Sequence, residues 1–280
     1  MTAIKTYTLE EQKALDNNYA EVDLVVENIN LLQRQGVDVL LEAPSLQEDK
    51  RILIPIKYED KYGFINHRAQ VVAQPIYDEF NKYDLAKSSS DNSLIRVARK
   101  TYLVDYNLML TYENEPVWGV INATGQTVLP ILYRSVDISD TEDVFSVQQI
   151  RPFYKWGVRG LYNKEIIPFG KFYKISAFAK GVARINYDNQ AIIDLHGNII
   201  IAEGIFDKIW TPNSEYDSIV CEKNKVRYTI TFEMLRHLQY EYLTTGQIKT
   251  SIEEIMEYQE HLQKNFPNSL ETITLETNEL

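Results

Sequence analysis

Acid–base work, nucleophilic attack or metal binding in this 280-residue sequence would fall first to four histidines, one cysteine and a few acidic pairs. His67, His196, His237 and His261 lack the spacing that brings two imidazoles onto one zinc ion. His67 and His196 follow Asn66 and Asp194 by one and two residues, inside turns, which predicts solvent exposure. Cys221 stands in the alternating stretch SIVCEK and reads as a small packed residue. A single cysteine excludes a disulfide within the chain and a cysteine metal cluster. Asp78-Glu79 and Glu142-Asp143 are neighbours whose side chains would point to opposite faces of a strand, a poor arrangement for a catalytic pair. Glu253, Glu254 and Glu257 suit the first turns of a helix, where the dipole favours negative charge. Glycoside hydrolysis needs two carboxyls at a set separation, and nothing selects such a pair. Neither a glycine-rich phosphate loop nor a GxSxG elbow is present. The expectation is a chain with no catalytic, cofactor-binding or metal-ligating residues.

What does recur is an aromatic–glycine pair. KYGFINHRAQVVAQP (61–75), VWGVINATGQTVLP (117–130) and KWGVRGLYNKEIIP (155–168) are three copies, and QAIIDLHGNIIIA (190–202) is a worn fourth. Gly63 stands 12 residues before Pro75, Gly119 stands 11 before Pro130, and Gly157 stands 11 before Pro168. The copies start 56, 38 and 34 residues apart; an insertion over 87–112 lengthens the first interval, and without it the period is near 35. Each unit reads as strand, turn, strand. Asn122 and Asp194 stand three residues before Gly125 and Gly197, a pairing in which the side chain bonds the backbone ahead and glycine takes positive φ. Asn163 and Ala69 hold the glycine place in the other copies, and Ala69 should be strained there. Pro75, Pro130 and Pro168 cannot donate to a ladder and should each end a strand. An aromatic follows in several copies (Tyr77, Tyr133, Phe206), with Asp78 and Asp207 beside two of them.

The elements that must carry these units follow from periodicity. Thr8-Leu9-Glu10-Glu11 fits a capping box and opens a helical stretch. Tyr19, Val22, Val25, Val26, Ile29 and Leu32 form its apolar stripe, and Gly36 stops it. EAPSLQEDK (42–50) is a connection, and RILIPIKY opens the repeat body as a strand. Beyond 230, FEMLRHLQYEYL ends at Gly246, and a second capping box at Ser251 opens a helix to Pro267. The domain plan is therefore an acidic helical flank (1–50), a β-repeat body (51–230) and a second acidic helical flank (231–280). The predicted fold class is mainly β: an array of antiparallel hairpins or three-stranded repeats, open and superhelical or solenoid-like, with helical ends.

Charge is unevenly placed. The total is −11, with 10 acids against 4 bases in residues 1–50, 9 against 3 in 231–280, and 21 against 22 between them. That distribution argues against nucleic acid, which asks for a basic surface, and suits either solubility or the steering of a basic partner. Lacking a signal peptide or an apolar run of eighteen, the sequence points to the cytoplasm and away from the membrane.

The copies resemble the WG repeat family, named for its Trp-Gly pair, over roughly residues 51–210. Trp118-Gly119 and Trp156-Gly157 match the name, and Tyr62-Gly63 is a conservative variant. The turn after Ile121, the VLP and VAQP endings and Tyr77-Asp78 add to the match. VRGLYN over 158–163, Ala69 and the lost aromatic–glycine pair of the fourth copy depart from the pattern. The resemblance implies β-rich repeats of bacterial proteins that serve as binding or structural modules, and it supplies no catalytic residues. From the residues themselves, the aromatics should interlock successive repeats, and the glycines should admit a close backbone or ring. Tyr62, Gly63, Trp118, Gly119, Trp156, Gly157, Pro75, Pro130, Pro168, Gly125 and Gly197 are the packing residues of this reading. Three functions remain open: a scaffold holding a protein partner, an immunity protein neutralising a toxin, and a carbohydrate binder or enzyme using the aromatic face. Oligomeric state is open as well.

Overall fold

The computed structural model describes residues 3–8, 10–11, 21–42, 49, 51–86, 93–105, 110–139, 143–150, 153–186, 188, 190–213, 215–246 and 254. Thr8 and Glu11 form the expected capping box: Thr8 N–H donates to Glu11 Oε2 (2.8 Å) and Glu11 N–H to Thr8 Oγ1 (3.1 Å). The β-branched run that follows is helical throughout α1, Glu21–Arg34. This helix ends in a Schellman motif. Gly36 takes φ +76°, Val37 N–H reaches Leu32 O (3.0 Å) and Gly36 N–H reaches Gln33 O (2.9 Å). Its buried side is Leu24, Val25, Asn28 and Leu32, whereas Val26 is 54% exposed. Val25 and Leu32 of the expected stripe are therefore buried and Ile29 packs against their core, Val26 departs from it, Asn28 joins the buried side, and Tyr19 lies outside the described residues. Buried Asn28 is satisfied by backbone: its Oδ1 accepts from Tyr7 N–H (2.8 Å), and its Nδ2 donates to Tyr7 O (3.0 Å) and Arg68 O (3.1 Å).

The body is mainly β, in antiparallel sheets of three to seven strands. Four strands run in the order β1 (Asp38–Val39), β2 (Ile54–Tyr58), β3 (Lys61–Ile65), β4 (Val71–Tyr77). The seven-stranded sheet is built from β5 (Glu79–Phe80), β6 (Leu94–Asp105), β7 (Leu110–Asn122), β8 (Thr127–Ile138), β9 (Val144–Gln149), β10 (Trp156–Gly160) and β11 (Glu165–Ile167), neighbours in sequence being neighbours in the sheet. A short helix, α2 (Lys82–Ala86), follows β5. Two three-stranded sheets complete it: β12 (Val182–Ile185), β13 (Ala191–Asp194), β14 (Ile199–Ile201), then β15 (Lys208–Ile209), β16 (Ser218–Lys223), β17 (Val226–Thr231). Helix α3, Phe232–Thr245, leaves β17 directly and ends at Gly246, φ +73°. The helix expected from Ser251 lies outside the described residues apart from Glu254. What interrupts the repeat period is a hairpin extension: β6 and β7 stay in register from Leu94↔Asn122 to Asp105↔Leu110, with one irregularity. Residues 87–92 and 106–109 of that insertion lie outside the described ones.

The chain divides into two compact units, residues 1–136 with 147–154 and 160–164, and residues 137–146 with 155–159 and 165–280. In the first, one core gathers Val25, Leu32, Ile54, Ile56 and Ile65, and another Leu53, Phe64, Leu85, Ile95 and Val97. An ion pair is buried there. Arg51 reaches both oxygens of Asp49 (2.9 and 2.6 Å) and Leu40 O (2.9 Å). Asp49 also accepts from the N–H of Glu42 (3.0 Å) and of Arg51 (3.1 Å). With Arg51 Nη1 3.0 Å from Glu42 Oε1, each nitrogen of the guanidinium has a partner, the condition under which a buried pair is tolerated. In the second unit, Trp156, Val158, Ile175, Phe178 and Ile193 form one core and Ile192, Ile209, Cys221, Leu235 and Leu238 another.

Candidate functional site: the aromatic–glycine units

In each unit, the glycine after the aromatic is a point where two strands press together. A Cβ on Gly63 would lie 2.6 Å from Ala73 O, and one on Gly119 2.7 Å from Leu129 O. On Gly157 it would meet Phe169 Cδ1 at 2.9 Å and Ile167 O at 3.0 Å. In all three copies the carbonyl belongs to the residue ten positions on. The register explains why. Tyr62 pairs with Tyr77 and Phe64 with Ala73, so Gly63 alone faces residues 74–76. Trp118 pairs with Tyr133 and Val120 with Leu129, so Gly119 alone faces residues 130–132. A wide bulge folds over the glycine, and any side chain there would collide with it.

That geometry corrects the role expected of the prolines. Pro75 lies inside β4 and Pro130 inside β8, so neither ends its strand. They sit in the bulge, where a residue without an N–H leaves no ladder bond unmade. Pro168 alone follows the end of its strand, β11.

The turns are built alike. Asn66, Asn122 and Asp194 each use one side-chain oxygen to accept the N–H two residues on (3.0, 3.1 and 2.9 Å) and four residues on (3.1, 2.9 and 2.9 Å). Gly125 and Gly197 have φ of +81° and +74°, and Ala69 holds +54° in the same place, as expected of a strained alanine. The third turn departs, because Gly160 stands where the others have Asn or Asp and offers no side chain. Gly160 N–H still reaches Lys164 O (2.8 Å), but both Tyr162 and Asn163 take positive φ (55° and 65°).

These turns join one copy to the copy before it. Gly125 is so close to the second strand of the first copy that a Cβ would stand 2.0 Å from Val72 O. Asn163 accepts a hydrogen bond from the hydroxyl of Tyr133, on the second strand of the second copy. A Cβ on Gly197 would stand 3.2 Å from Ile167 Cδ1 in the third copy, and Lys171 Nζ donates to Gly197 O at 2.8 Å. Asp194 adds a tie to α3 through Gln239 Nε2 (3.2 Å). The aromatics also reach beyond their own copies, since Trp156 shares its core with Ala191 and Ile193 of the fourth. Tyr62 meets Phe80 edge to face at 5.1 Å between centroids, Trp118 is half-buried opposite Tyr133, and Trp156 is 7% exposed in its core. Sequence reasoning missed the lock because its signal, a turn residue three after an Asx, had already been assigned to the turn itself.

Two acidic residues singled out in the sequence, Asp78 and Asp207, bond backbone N–H groups and lysines. Asp78 holds Lys61 by an ion pair and accepts from Lys100 N–H (2.8 Å). Burial raises the Asp78 carboxyl, and those two donors outweigh it, leaving it below its usual range. Asp207 bonds Asn224 N–H (2.6 Å) and pairs with Lys223 (3.2 Å), which lowers its pKa. Glu79 lies 3.7 Å from Lys100. His67 and His196 are exposed, as their turns predict; His261 and Glu142 lie outside the described residues. Cys221 is fully buried, and burial pushes its thiol up to about 12. Among the described residues no group of three His, Cys, Asp or Glu is placed to hold a metal, and no helix is long and apolar enough to cross a membrane.

The chain carries WG containing repeats: the model of that family matches residues 62–97, 118–149 and 163–190. The third match begins in the distorted turn, past Trp156-Gly157, and the matches end where the worn copy starts. No curated protein matches the sequence. Among solved structures, one described as "Crystal structure of the eukaryotic initiation factor" is similar at 12% identity and a TM-score of 0.33 over 69% of this chain. This chain spans 54% of that one's length, and a score so low carries no argument.

Proposed function

We infer that this protein is a non-catalytic interaction module, with its WG repeats as scaffold and a protein as its partner. The observation that supports this is a set of large apolar side chains in the first unit, two of them aromatic, that the core does not use. Leu132, Phe153 and Tyr162 are 57%, 64% and 78% exposed. Tyr154 and Tyr162 keep φ of +50° and +55°, a conformation that costs a bulky L-residue about 1 kcal/mol or more. They are held there. Arg134 lies 4.5 Å above the Tyr154 ring, Gln148 Nε2 donates to Tyr154 O (3.1 Å), and Tyr133 holds Asn163 next to Tyr162. Tyr and Arg are the residues that most often dominate the energy of protein interfaces, and exposed apolar rings gain by being covered.

Residue balance bears on the partner's charge. Acids outnumber bases 10 to 4 in residues 1–50 and 9 to 3 in 231–280, so a basic protein would be steered toward the chain. A basic toxin is one such partner. The cytoplasm is the compartment we assign, from the single cysteine.

Affinity capture from the native host tests the reading, with the chain as it stands and with a Phe153→Ser/Tyr162→Ser variant. A stoichiometric protein retained by the first and lost by the second supports it. No stoichiometric protein, or one the double variant keeps, counts against it; a thermal shift with sugars or nucleotides would point to small-ligand binding instead.

A further inference from the structure

Two edge strands longer than four residues bound the four-stranded and three-stranded sheets, and they are treated differently. The edge of β4 contains Pro75, and the N-terminal segment runs beside it. Ile4 N–H donates to Gln74 Oε1 (2.9 Å), Gln74 Nε2 to Ile4 O (3.0 Å), and Val71 N–H to Thr6 Oγ1 (3.0 Å). The edge of β17 has no proline and no bulge; its six residues pair with β16 without a break from Lys223↔Val226 to Ser218↔Thr231.

Which backbone groups of β17 face outward follows from the neighbouring ladder. Glu222 O and Val220 O accept from Asp207 N–H (2.7 Å) and Trp210 N–H (2.9 Å), so Glu222 and Val220 direct their backbone groups toward β15. Their partners Arg227 and Thr229 therefore form the non-hydrogen-bonded pairs with β16 and turn their N–H and C=O away from the sheet. Among the described residues nothing bonds them. Val226 is 52% exposed, and Arg227 and Thr229 are exposed.

Two cations, Lys225 and Arg227, stand at the tip and on β17 itself, and Lys208 stands on β15 at the opposite edge of the sheet. Lys208 Nζ lies 4.3 Å and Arg227 Cζ 5.5 Å from the centroid of the Trp210 ring. Glu222 is in register between Lys208 and Arg227, yet it is within ion-pair distance of neither among the described residues. Lys225 is exposed at the hairpin tip with φ +65°, a place where glycine is the usual choice. Lys223, by contrast, is neutralised by Asp207.

We propose that the edge of β17 receives an extended acidic segment of a partner protein by strand addition, with its backbone on Arg227 and Thr229 and its carboxylates on Lys225 and Arg227. Strand addition takes affinity from main-chain bonds and specificity from alternate side chains, and here the alternate side chains on the indole face are positive. A second copy of this chain is a poorer match, since it would bring the same cations. The proposal rests on the interaction reading above and adds a second site to it, one that takes an acidic segment of a partner whose overall charge the flanks favour as basic.

The test uses the full chain and two capped eight-residue peptides, one alternating Thr and Glu, the other Thr and Lys. Amide signals and hydrogen exchange of β17 are followed during titration. The Glu peptide is expected to slow exchange at Arg227 and Thr229 and to bind about tenfold more tightly than the Lys peptide. Arg227→Glu should reverse that order. Thr229→Pro should remove Glu-peptide protection while the Tyr228 and Ile230 amides, bonded to β16, stay protected, which separates loss of the edge from loss of the fold. Equal affinity for the two peptides, unprotected Arg227 and Thr229, or binding that survives both variants overturns the proposal. So does protection that grows with protein concentration alone, which would assign the edge to a second copy. If β17 ignores the peptides while the Phe153/Tyr162 surface still captures a protein, strand addition fails and the interaction reading stands.

Discussion

Replacing Gly125 with alanine isolates the lock between the first two copies. Two costs arise together. At φ +81° an alanine is held in the left-handed region, at about 1–2 kcal/mol. Its Cβ would also stand 2.0 Å from Val72 O and 2.7 Å from Val72 C, backbone atoms that cannot rotate away. Opening that contact to an ordinary distance moves a strand by more than an ångström and leaves packing voids of methyl size, roughly another 2 kcal/mol. We expect about 3–4 kcal/mol in all. Gly36→Ala supplies the control, because Gly36 lies in the same unit at φ +76° with nothing nearer than Tyr58 Cε2 at 4.0 Å. It should bear the backbone cost alone, about 1–2 kcal/mol. Urea unfolding followed by Trp118 fluorescence in a Trp156→Phe/Trp210→Phe background reports on the first unit, since Trp118 is the one tryptophan there. If Gly125→Ala costs no more than Gly36→Ala, the contact with Val72 does not hold the copies together and the argument is wrong.

Other outcomes follow from particular side chains. Trp156→Ala should cost on the order of 3–5 kcal/mol, and Trp118→Ala clearly less, because Trp118 is half-buried; thermal melts compare them. Asp49→Asn leaves the buried Arg51 guanidinium only the exposed Glu42 carboxylate, 3.0 Å away, as counter-charge, at up to about 3 kcal/mol in urea titrations. The hydrogen bonds from Arg51 hold the Asp49 carboxyl well below the usual carboxylate range, so its contribution is present above the unfolded value of about 3.9 and is lost as pH falls toward the folded one. Stability measured below about pH 4 should therefore fall less steeply in the Asp49→Asn variant. With its thiol raised to about 12, Cys221 should react with a thiol reagent at pH 8 only after unfolding, read by absorbance.

Much of the fold could be read from residue types. Thr8 with Glu11, and Gly36 after a helical stripe, are local signals, and local hydrogen bonds honour them. The Asx–glycine turns were legible for the same reason, and Ala69 was recognisable as strained. The prolines misled, because a missing N–H marks a place without a ladder bond, and a bulge is such a place as much as a strand end. Val26 misled because an apolar side chain at helical spacing carries no information about Asn28, whose partners at Tyr7 and Arg68 are distant in sequence. The inter-copy lock was illegible for a related reason: Gly125 and Val72 are 53 positions apart, and only the register of two hairpins brings them together.

The lock also has a direction in time. In the first three copies the second strand receives a covering group from the copy that follows. On a ribosome making about 5–20 residues per second, Val72 would wait roughly 3–10 seconds for Gly125 to be made, and longer for that turn to clear the exit. Until then β4 has Pro75 and the segment around Ile4 and Thr6 to shield it, and both are already synthesised. The order of synthesis thus matches the order of protection: an early copy carries its own guard while its successor is still being assembled.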